Sequence, residues 1–204
     1  LVLSVAYNYH YWGHFQGARR WIASGGLGRV TSAAALGAAR GASTPILDPN
    51  SWYHEPAQSG GGSLVSGGTH RLAAILWLTG LRPQSVFAFM AGPSSCLDYQ
   101  AGLVLRLEKD VIATLLNEAQ APARRLELSV FGDKGAVFLG DETVVALGAD
   151  GESGAIEVPH ETDALSDFFE AITEGRPLLT SAEDAYWVVA TVQAAYQSSC
   201  SALP

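Results

Sequence analysis

The stretch SGGGSLVSGGTHR, residues 59–71, places five glycines and three serines around one histidine, His70. Such a run is typical of a phosphate cradle, a hydrolase nucleophile turn or the floor of a substrate site, because glycine lets the backbone approach a ligand closely. A dinucleotide cradle requires Gly-x-Gly-x-x-Gly, and counted from Gly60 its third glycine falls on Val65. The Gly-Lys-Ser/Thr tripeptide of a P-loop does not occur in the sequence. The run therefore does not match a phosphate cradle.

The hydrolase turn is excluded in the same way, since it requires Gly-x-Ser-x-Gly. Val65 stands two residues after Ser63, and Leu64 stands two residues before Ser66, where glycines would be needed. The floor of a substrate site is the interpretation that remains.

His70 follows Gly67, Gly68 and Thr69, and we predict that it lies at the start of a helix, where backbone N–H groups point outward. The positive helix end favours a neutral imidazole, which can accept a proton from a substrate hydroxyl near physiological pH. A histidine that only hydrogen-bonds a loop carbonyl is the other interpretation. The residues by themselves leave both open.

A metal site would need further histidines. His10 and His14 are four residues apart and would share a helix face, and His54, Glu55 and His70 could join them. However, we expect His10 to lie where a strand changes into a helix, which would separate the two side chains. We therefore predict no metal site.

Aromatic residues offer a second kind of binding surface, since their faces suit the C–H faces of sugars. Trp77 and Trp187 lie in apolar helical patterns and are expected in the core. Trp52 lies in a loop rich in proline and glycine beside Tyr53 and His54, and it is either a ligand contact or an anchor for that loop.

Composition limits the classes of function. The chain has 204 residues, 48% hydrophobic and 16% charged, with a formal net charge of −8, which argues against binding a nucleic-acid backbone. No apolar run reaches the roughly 18 residues of a membrane span. Cys96 and Cys200 lack metal-ligand spacing, which indicates a reducing cytoplasm. The sequence begins at Leu1 within an apparent strand, and we expect a segment of something longer.

The elements that position these residues follow from hydrophobic periodicity. We expect strands at 1–7 and 29–40, helices over 12–22 and 69–79, and a long loop over 41–62. A meander of short strands follows, whose brief connections require antiparallel pairing of neighbours. Two helices close the chain, one with an apolar face from Leu165 to Ile172 and one that begins after Ser181. This order predicts one α+β domain over 1–204, with an open, mainly antiparallel sheet and helices packed on one face.

Four stretches in this order resemble the C-terminal domain of the Gfo/Idh/MocA oxidoreductases, the glucose–fructose oxidoreductase and inositol dehydrogenase family. They are VAYNYHYWGHFQGARRWIASGGLGRV, GGGSLVSGGTHRLAAILWLTG, LELSVFGDKGAVFL and LSDFFEAITEGRPLLTSAEDAYWVVATVQAAYQSS. The resemblance implies a dihydrodipicolinate-reductase-like domain that supplies the substrate site, and a separate N-terminal Rossmann domain that binds NAD or NADP. It also implies hydride transfer to or from a sugar, cyclitol or related polyol, with a lysine of the Rossmann domain and an Asp/His pair of this domain handling the proton.

The resemblance carries over only in part. The family histidine falls on His70, but Ser66 stands where the family has an aspartate four residues earlier, and Ala73 where it has one three residues later. Asp48, His54 and Glu55 in the preceding loop are candidates to replace the missing carboxylate.

On this basis we expect the substrate domain of an NAD(P)-dependent oxidoreductase in the cytoplasm, self-associating through its sheet face, with neither nucleic acid nor membrane as partner. His70 is the expected proton donor and acceptor, and Ser66 is expected to position the substrate. The expected substrate contacts are Trp52, Tyr53, His54, Gly61, Gly62 and Gly68. The loss of both aspartates favours the alternative, a ligand-binding or assembly module without redox function. The chain alone is expected to be inactive and not to bind NAD(P).

Overall fold

A computed structural model of the chain describes residues 2–41 and 45–201, so residues 42–44 of the predicted long loop and Leu1 lie outside the described part. The helices are α1 (Gly13–Ala23), α2 (Pro56–Ser59), α3 (Thr69–Thr79), α4 (Ala164–Glu174) and α5 (Ala182–Ser201). The strands are β1 (Val30–Arg40), β2 (Pro83–Ala91), β3 (Gln100–Leu107), β4 (Ile112–Ala121), β5 (Arg125–Gly132), β6 (Gly135–Leu139), β7 (Val144–Gly148) and β8 (Ser153–Gly154).

The strands form one eight-stranded sheet in the order β2-β3-β4-β1-β5-β6-β7-β8. The predicted antiparallel pairing of neighbours is confirmed for β2–β3, β3–β4, β5–β6 and β6–β7. The turn between β3 and β4 places Lys109 and Asp110 at φ 60° and 58°, which matches the twist of a tight hairpin. The α+β class with an open, mainly antiparallel sheet is therefore confirmed.

The prediction of a simple meander was wrong at the centre of the sheet. β1 lies between β4 and β5, parallel to β4 and antiparallel to β5, so β4 and β5 do not pair with each other. Short connections determine which consecutive strands can pair, but they do not exclude the insertion of an earlier strand. β1 is rich in alanine and contains Gly37, and these small side chains let α3 pack closely over the sheet.

One face of the sheet is buried under the helices, and the other faces outward. Burial alternates along β3, β4 and β5, as expected for strands with one covered face. The core forms between the covered face and the inward sides of α1, α3 and α5, with Phe15, Leu72, Ile75, Leu105 and Val188 among its members. The outward face carries exposed apolar side chains, namely Phe89, Val104, Ile112, Leu116, Phe131 and Val145.

Two expectations at the ends of the chain need correction. Residues 2–7 form no strand, and a 3-10 helix over Asn8–Tyr11 leads directly into α1. The helix predicted around Leu165–Ile172 exists as α4, but Leu165, Phe169 and Ile172 are exposed rather than packed in the core. Among the residues described, none of the helices combines the length and the apolar character that a bilayer span requires.

Candidate functional site

The helix that carries His70 begins earlier than its sequence indicates. Leu64–Gly68 form a π-helical turn that continues into α3, with Gly68 and Thr69 both in helical backbone conformation. His70 therefore lies inside a continuous helix and not at its free N-terminus, contrary to the prediction. The N–H groups that have no partner within this helix are those at its start, near Ser63 and Leu64.

Asp98 occupies that free N-terminus. Its carboxylate accepts a hydrogen bond from the Leu64 N–H at 2.9 Å, and its backbone carbonyl accepts one from the Ser63 N–H at 2.7 Å. The Tyr196 hydroxyl donates to the other carboxylate oxygen, and accepts from the Gly62 N–H at 2.8 Å. Asp98 is buried, and this burial raises the pKa of its carboxyl. The aspartate and the tyrosine together hold the glycine-rich loop in place.

The glycines of this loop are needed for contacts within the protein. A Cβ on Gly62 would lie 2.2 Å from the Asp98 carbonyl oxygen, and one on Gly61 would lie 2.5 Å from the Tyr196 hydroxyl. A Cβ on Gly68 would lie 2.6 Å from a methyl carbon of the Leu64 side chain. Close packing of the chain on itself thus explains these glycines, and their contact with a substrate stays a prediction.

The ring of His70 is half-buried and stands edge-on to two tyrosines, with ring-centroid distances of 5.8 Å to Tyr7 and 6.3 Å to Tyr9. Its Nδ1 atom is buried without a hydrogen-bond partner, and no described residue hydrogen-bonds the ring. The loop carbonyl of the second interpretation is therefore not found in the described part of the chain. Burial, and secondarily the Arg71 charge, lowers the pKa of His70. This direction of the pKa shift is the one predicted, but its main cause is burial and not the helix end.

The two positions where aspartates were expected differ in their surroundings. Ser66 is exposed one turn before His70, and its backbone N–H donates to the Gly62 carbonyl at 3.1 Å. Ala73 is 2% exposed and belongs to the core. The Ser66 side chain is therefore accessible from outside, whereas the Ala73 side chain is not, and the role of Ser66 stays a prediction.

The loop before the glycines presents one exposed aromatic side chain. Trp52–His54 form a 3-10 turn in which Trp52 is 54% exposed and its ring lies 4.0 Å from that of Tyr53. Tyr53 packs against a small apolar cluster that contains Ile46, and His54 Nδ1 donates to the Ile46 carbonyl at 3.0 Å. Trp52 is therefore available as a contact, while its two neighbours anchor the loop.

The candidates to replace the missing carboxylate have local partners instead. Asp48 accepts from the Asn50 N–H at 2.9 Å, and Glu55 accepts from the Ala57 N–H at 3.3 Å at the start of α2. Within residues 2–41 and 45–201, neither carboxylate contributes to the pKa of His70. The structure does not bring them to His70.

The histidines of the metal interpretation bind separate partners. His10 is fully buried, shares a hydrogen bond of 2.9 Å with the Thr180 hydroxyl and stacks on Trp77 at 4.5 Å. His14 Nε2 donates to the Gly140 carbonyl at 3.2 Å. No group of three metal-ligating side chains occurs among the described residues.

Sequence reasoning missed a buried polar group beside His70. Arg71 is 8% exposed, and its Nη1 donates to the Asn117 side-chain oxygen at 2.6 Å, while the Asn117 amide donates to the Ser63 hydroxyl. The signal was present, because Arg71 is a lone arginine in the apolar segment THRLAAILWL. Asn117 likewise occupies an inward position of β4 that alternates with apolar ones.

Comparisons with known proteins agree with this architecture. The family model of the GFO/IDH/MocA C-terminal domain matches residues 15–138, more than half of the chain. No curated protein sequence matches the chain. Among solved structures, aldose-aldose oxidoreductase from Caulobacter crescentus, complexed with glycerol, is 22% identical with a TM-score of 0.84, covering 98% of this chain and 62% of its own.

Two further solved structures are similar. Levoglucosan dehydrogenase in complex with NADH and levoglucosan is 19% identical with a TM-score of 0.84, covering 100% of this chain and 65% of its own. GenD2 from gentamicin A biosynthesis, in complex with NAD, is 23% identical with a TM-score of 0.77, covering 99% of this chain and 62% of its own. The chain thus spans less than two thirds of the length of these structures. At such identities they show the shared fold, while the match of the family model shows that this chain belongs to the GFO/IDH/MocA C-terminal domain family.

Proposed function

We propose that this chain is the substrate-binding and oligomer-forming domain of an NAD(P)-dependent oxidoreductase acting on a CH–OH group of a sugar, cyclitol or related polyol. Family membership supports the oxidoreductase class. The names of two similar structures point to carbohydrate substrates, and two were solved with nicotinamide dinucleotides. Both cysteines, Cys96 and Cys200, are free and exposed, which favours the reducing cytoplasm as the compartment.

The described residues do not fit a dinucleotide. The glycine-rich run lacks the required spacing, and its backbone N–H groups at Ser63 and Leu64 are already bonded to Asp98. The parallel pair β1–β4 lies within an otherwise antiparallel sheet, unlike the parallel sheet of a dinucleotide fold. In this proposal a separate domain binds the nucleotide, and the chain described here supplies the substrate side.

The observation that carries the proposal is the half-buried imidazole of His70, which has no hydrogen-bond partner among the described residues. Burial holds its pKa below the ordinary value. Such an imidazole can accept the proton of a substrate hydroxyl as the carbon that bears it is oxidised, and can return the proton in the reverse direction. An oxidised nicotinamide held by the separate domain would accept the hydride that this carbon loses.

The other predicted contacts are assigned around this group. Ser66, exposed one turn away, positions a substrate hydroxyl, and Trp52 offers its open aromatic face. Tyr53 and His54 hold the loop that carries Trp52, while the backbone of Gly61, Gly62 and Gly68 is assigned to the floor of the site.

The test uses a protein in which this chain is joined to its nucleotide-binding domain, with NAD(P)H-linked turnover measured over a panel of sugars and cyclitols. We expect turnover on at least one of them, and a loss of about 100-fold or more in kcat for His70→Ala. His160→Ala, at an exposed histidine far from the helix in sequence, should leave turnover unchanged.

Two results would count against the proposal. Unchanged turnover in His70→Ala removes His70 from the mechanism. Absence of turnover with retained sugar binding favours the assembly or ligand-binding module that Ser66 and Ala73 suggest. For the chain alone we expect no NAD(P) binding by calorimetry, and a micromolar affinity would contradict the division of labour between the two domains.

A further inference from the structure

Arg71 is a buried cation whose side chain lies against the sheet. A Cβ on Gly37 of β1 would fall 1.5 Å from its Nε, so the guanidinium occupies the space that any side chain at position 37 would need. A Cβ on Gly67 would lie 3.1 Å from Nη1, which also contacts Asn117. Two glycines and an asparagine therefore form the walls around this side chain.

The charge of Arg71 has no counterion in residues 2–41 and 45–201. Its one hydrogen bond goes to the neutral amide of Asn117, and Nε is buried without a partner. The ionisable groups that act on it are Tyr9, whose pKa is raised by burial, and Arg124 and Asp141, which form their own ion pair at 2.8 Å. Together these groups and Arg71 leave one surplus positive charge.

An unpaired charge in this position is costly, because a buried ion loses its hydration and needs a partner of opposite sign. Burial accordingly lowers the pKa of Arg71, although a guanidinium stays protonated. The net charge of the chain is −8, so an isolated buried cation contrasts with its acidic composition. A site built in this way is suited to an anion that arrives from outside the described residues.

Arg71 and His70 face a common neighbour. Tyr9 is 5% exposed, stands edge-on to the His70 ring and interacts electrostatically with Arg71. Arg71 also acts directly on His70, because its charge lowers the pKa of that ring, so a ligand at His70 would lie within the field of the Arg71 guanidinium. Ser66, exposed one turn before His70, carries no charge that would repel an anionic ligand.

We propose that Arg71 binds a carboxylate of the substrate, so that the ligand of this site is an acidic sugar, a uronic or aldonic acid, rather than a neutral one. The inference rests on the proposed function for the placing of the substrate at His70. It goes beyond the proposed function because it names the chemical class of the substrate. Charge-assisted hydrogen bonds from a guanidinium to a carboxylate supply the recognition.

The experiment compares matched ligands on the chain without nucleotide. Calorimetry measures the Kd of D-glucuronate, of D-glucuronamide, which replaces the carboxylate by a neutral amide, and of D-glucose. We expect glucuronate to bind roughly 10- to 100-fold more tightly than glucuronamide, the range for a hydrogen bond to a charged group. Arg71→Met should abolish this difference, and Arg71→Lys, which keeps the charge without the planar fork, should retain part of it.

Arg29→Met, at an exposed arginine paired with Asp133, is the matched control and should keep the full preference. Circular dichroism verifies that each variant is folded. The proposal is overturned if glucuronate shows no preference over glucuronamide, or if the preference survives in Arg71→Met. The binding measurement contains no nucleotide, so a failure of the full protein to show redox turnover would not affect it. Turnover of neutral sugars alone would contradict the carboxylate preference but not the proposed function.

Discussion

Two histidines of this chain show how surroundings determine the use of one side-chain type. His70 keeps a half-buried ring with no hydrogen bond to the described residues, so neither ring nitrogen is bound to a protein partner there. His10 is fully buried, bonded to Thr180 and stacked on Trp77. In our proposal the first transfers a proton, whereas the second joins the segment before α1 to the segment before α5.

His10 should make stability depend on pH. Burial lowers its pKa from 6.5 to about 4, so the folded state disfavours the charged ring. Above pH 6.5 the ring is neutral in both states; between 6.5 and 4 only the unfolded state takes up the proton. The free energy of unfolding therefore falls as pH falls through this window, by about 3 kcal/mol in total from this group. Urea denaturation at several pH values measures it.

His10→Gln should flatten this part of the pH profile, while His160→Gln, at an exposed position, should not. A profile of His10→Gln that matches the wild type between pH 6.5 and 4 would show that other groups cause the acid sensitivity.

At the scale of elements, the glycine-rich loop, the π-helical turn and α5 form one unit. Asp98 caps the helix that leads into α3, and Tyr196 of α5 bonds both to that aspartate and to the loop. The position of His70 thus depends on contacts between segments that are far apart in sequence.

Gly62→Ala should weaken this unit. Its Cβ would lie 2.2 Å from the Asp98 carbonyl oxygen, and backbone cannot move aside as a flexible side chain can. We expect a loss of about 1–3 kcal/mol in the free energy of unfolding, as for other overpacked positions. Chemical denaturation provides the measurement, with Gly102→Ala as the control because no atom lies within 4 Å of its Cβ. Equal stability of the two variants would argue against a close fit at Gly62.

The elements themselves were largely predictable from sequence. Periodicity located α1, α3, α4 and α5, and short connections gave the antiparallel pairs. The π-helical turn was missed because Gly67 and Gly68 indicate a helix boundary, although both lie in helical structure. Asp98 and Tyr196 were missed because a pair separated by this much chain leaves no local pattern. The candidate histidine could be found from its motif, but its partners required the fold.

At the scale of the whole molecule, no element of the described residues covers one broad face of the sheet. Phe89 is 69% exposed, and Val104, Ile112, Leu116, Phe131 and Val145 extend the apolar surface across the strands. A second copy of this chain is the partner that we propose, since a self-complementary face closes as a symmetric pair.

Charges on this face should separate the copies. We expect the wild-type chain to be a dimer or larger by light scattering coupled to size exclusion, and Phe89→Glu/Leu116→Glu to be monomeric, because association would bury both carboxylates. Val189→Glu, at a 60% exposed position of α5 on the helical side, should keep the oligomer. A monomeric wild type, or an oligomer that persists in the double variant, would contradict self-association through the sheet.

The central position of β1 has a consequence for how the chain folds. Ala33 pairs with Ala113 on one side and with Val130 on the other. Both strands that pair with β1 therefore follow it much later in the sequence. Its alanine-rich sequence has little intrinsic preference for a strand, which means that its neighbours impose the extended conformation. The antiparallel units β2–β4 and β5–β7 contain the more local contacts and can form first. We therefore expect insertion of β1 between the two units to come last, so that the middle of the sheet is the last part to form.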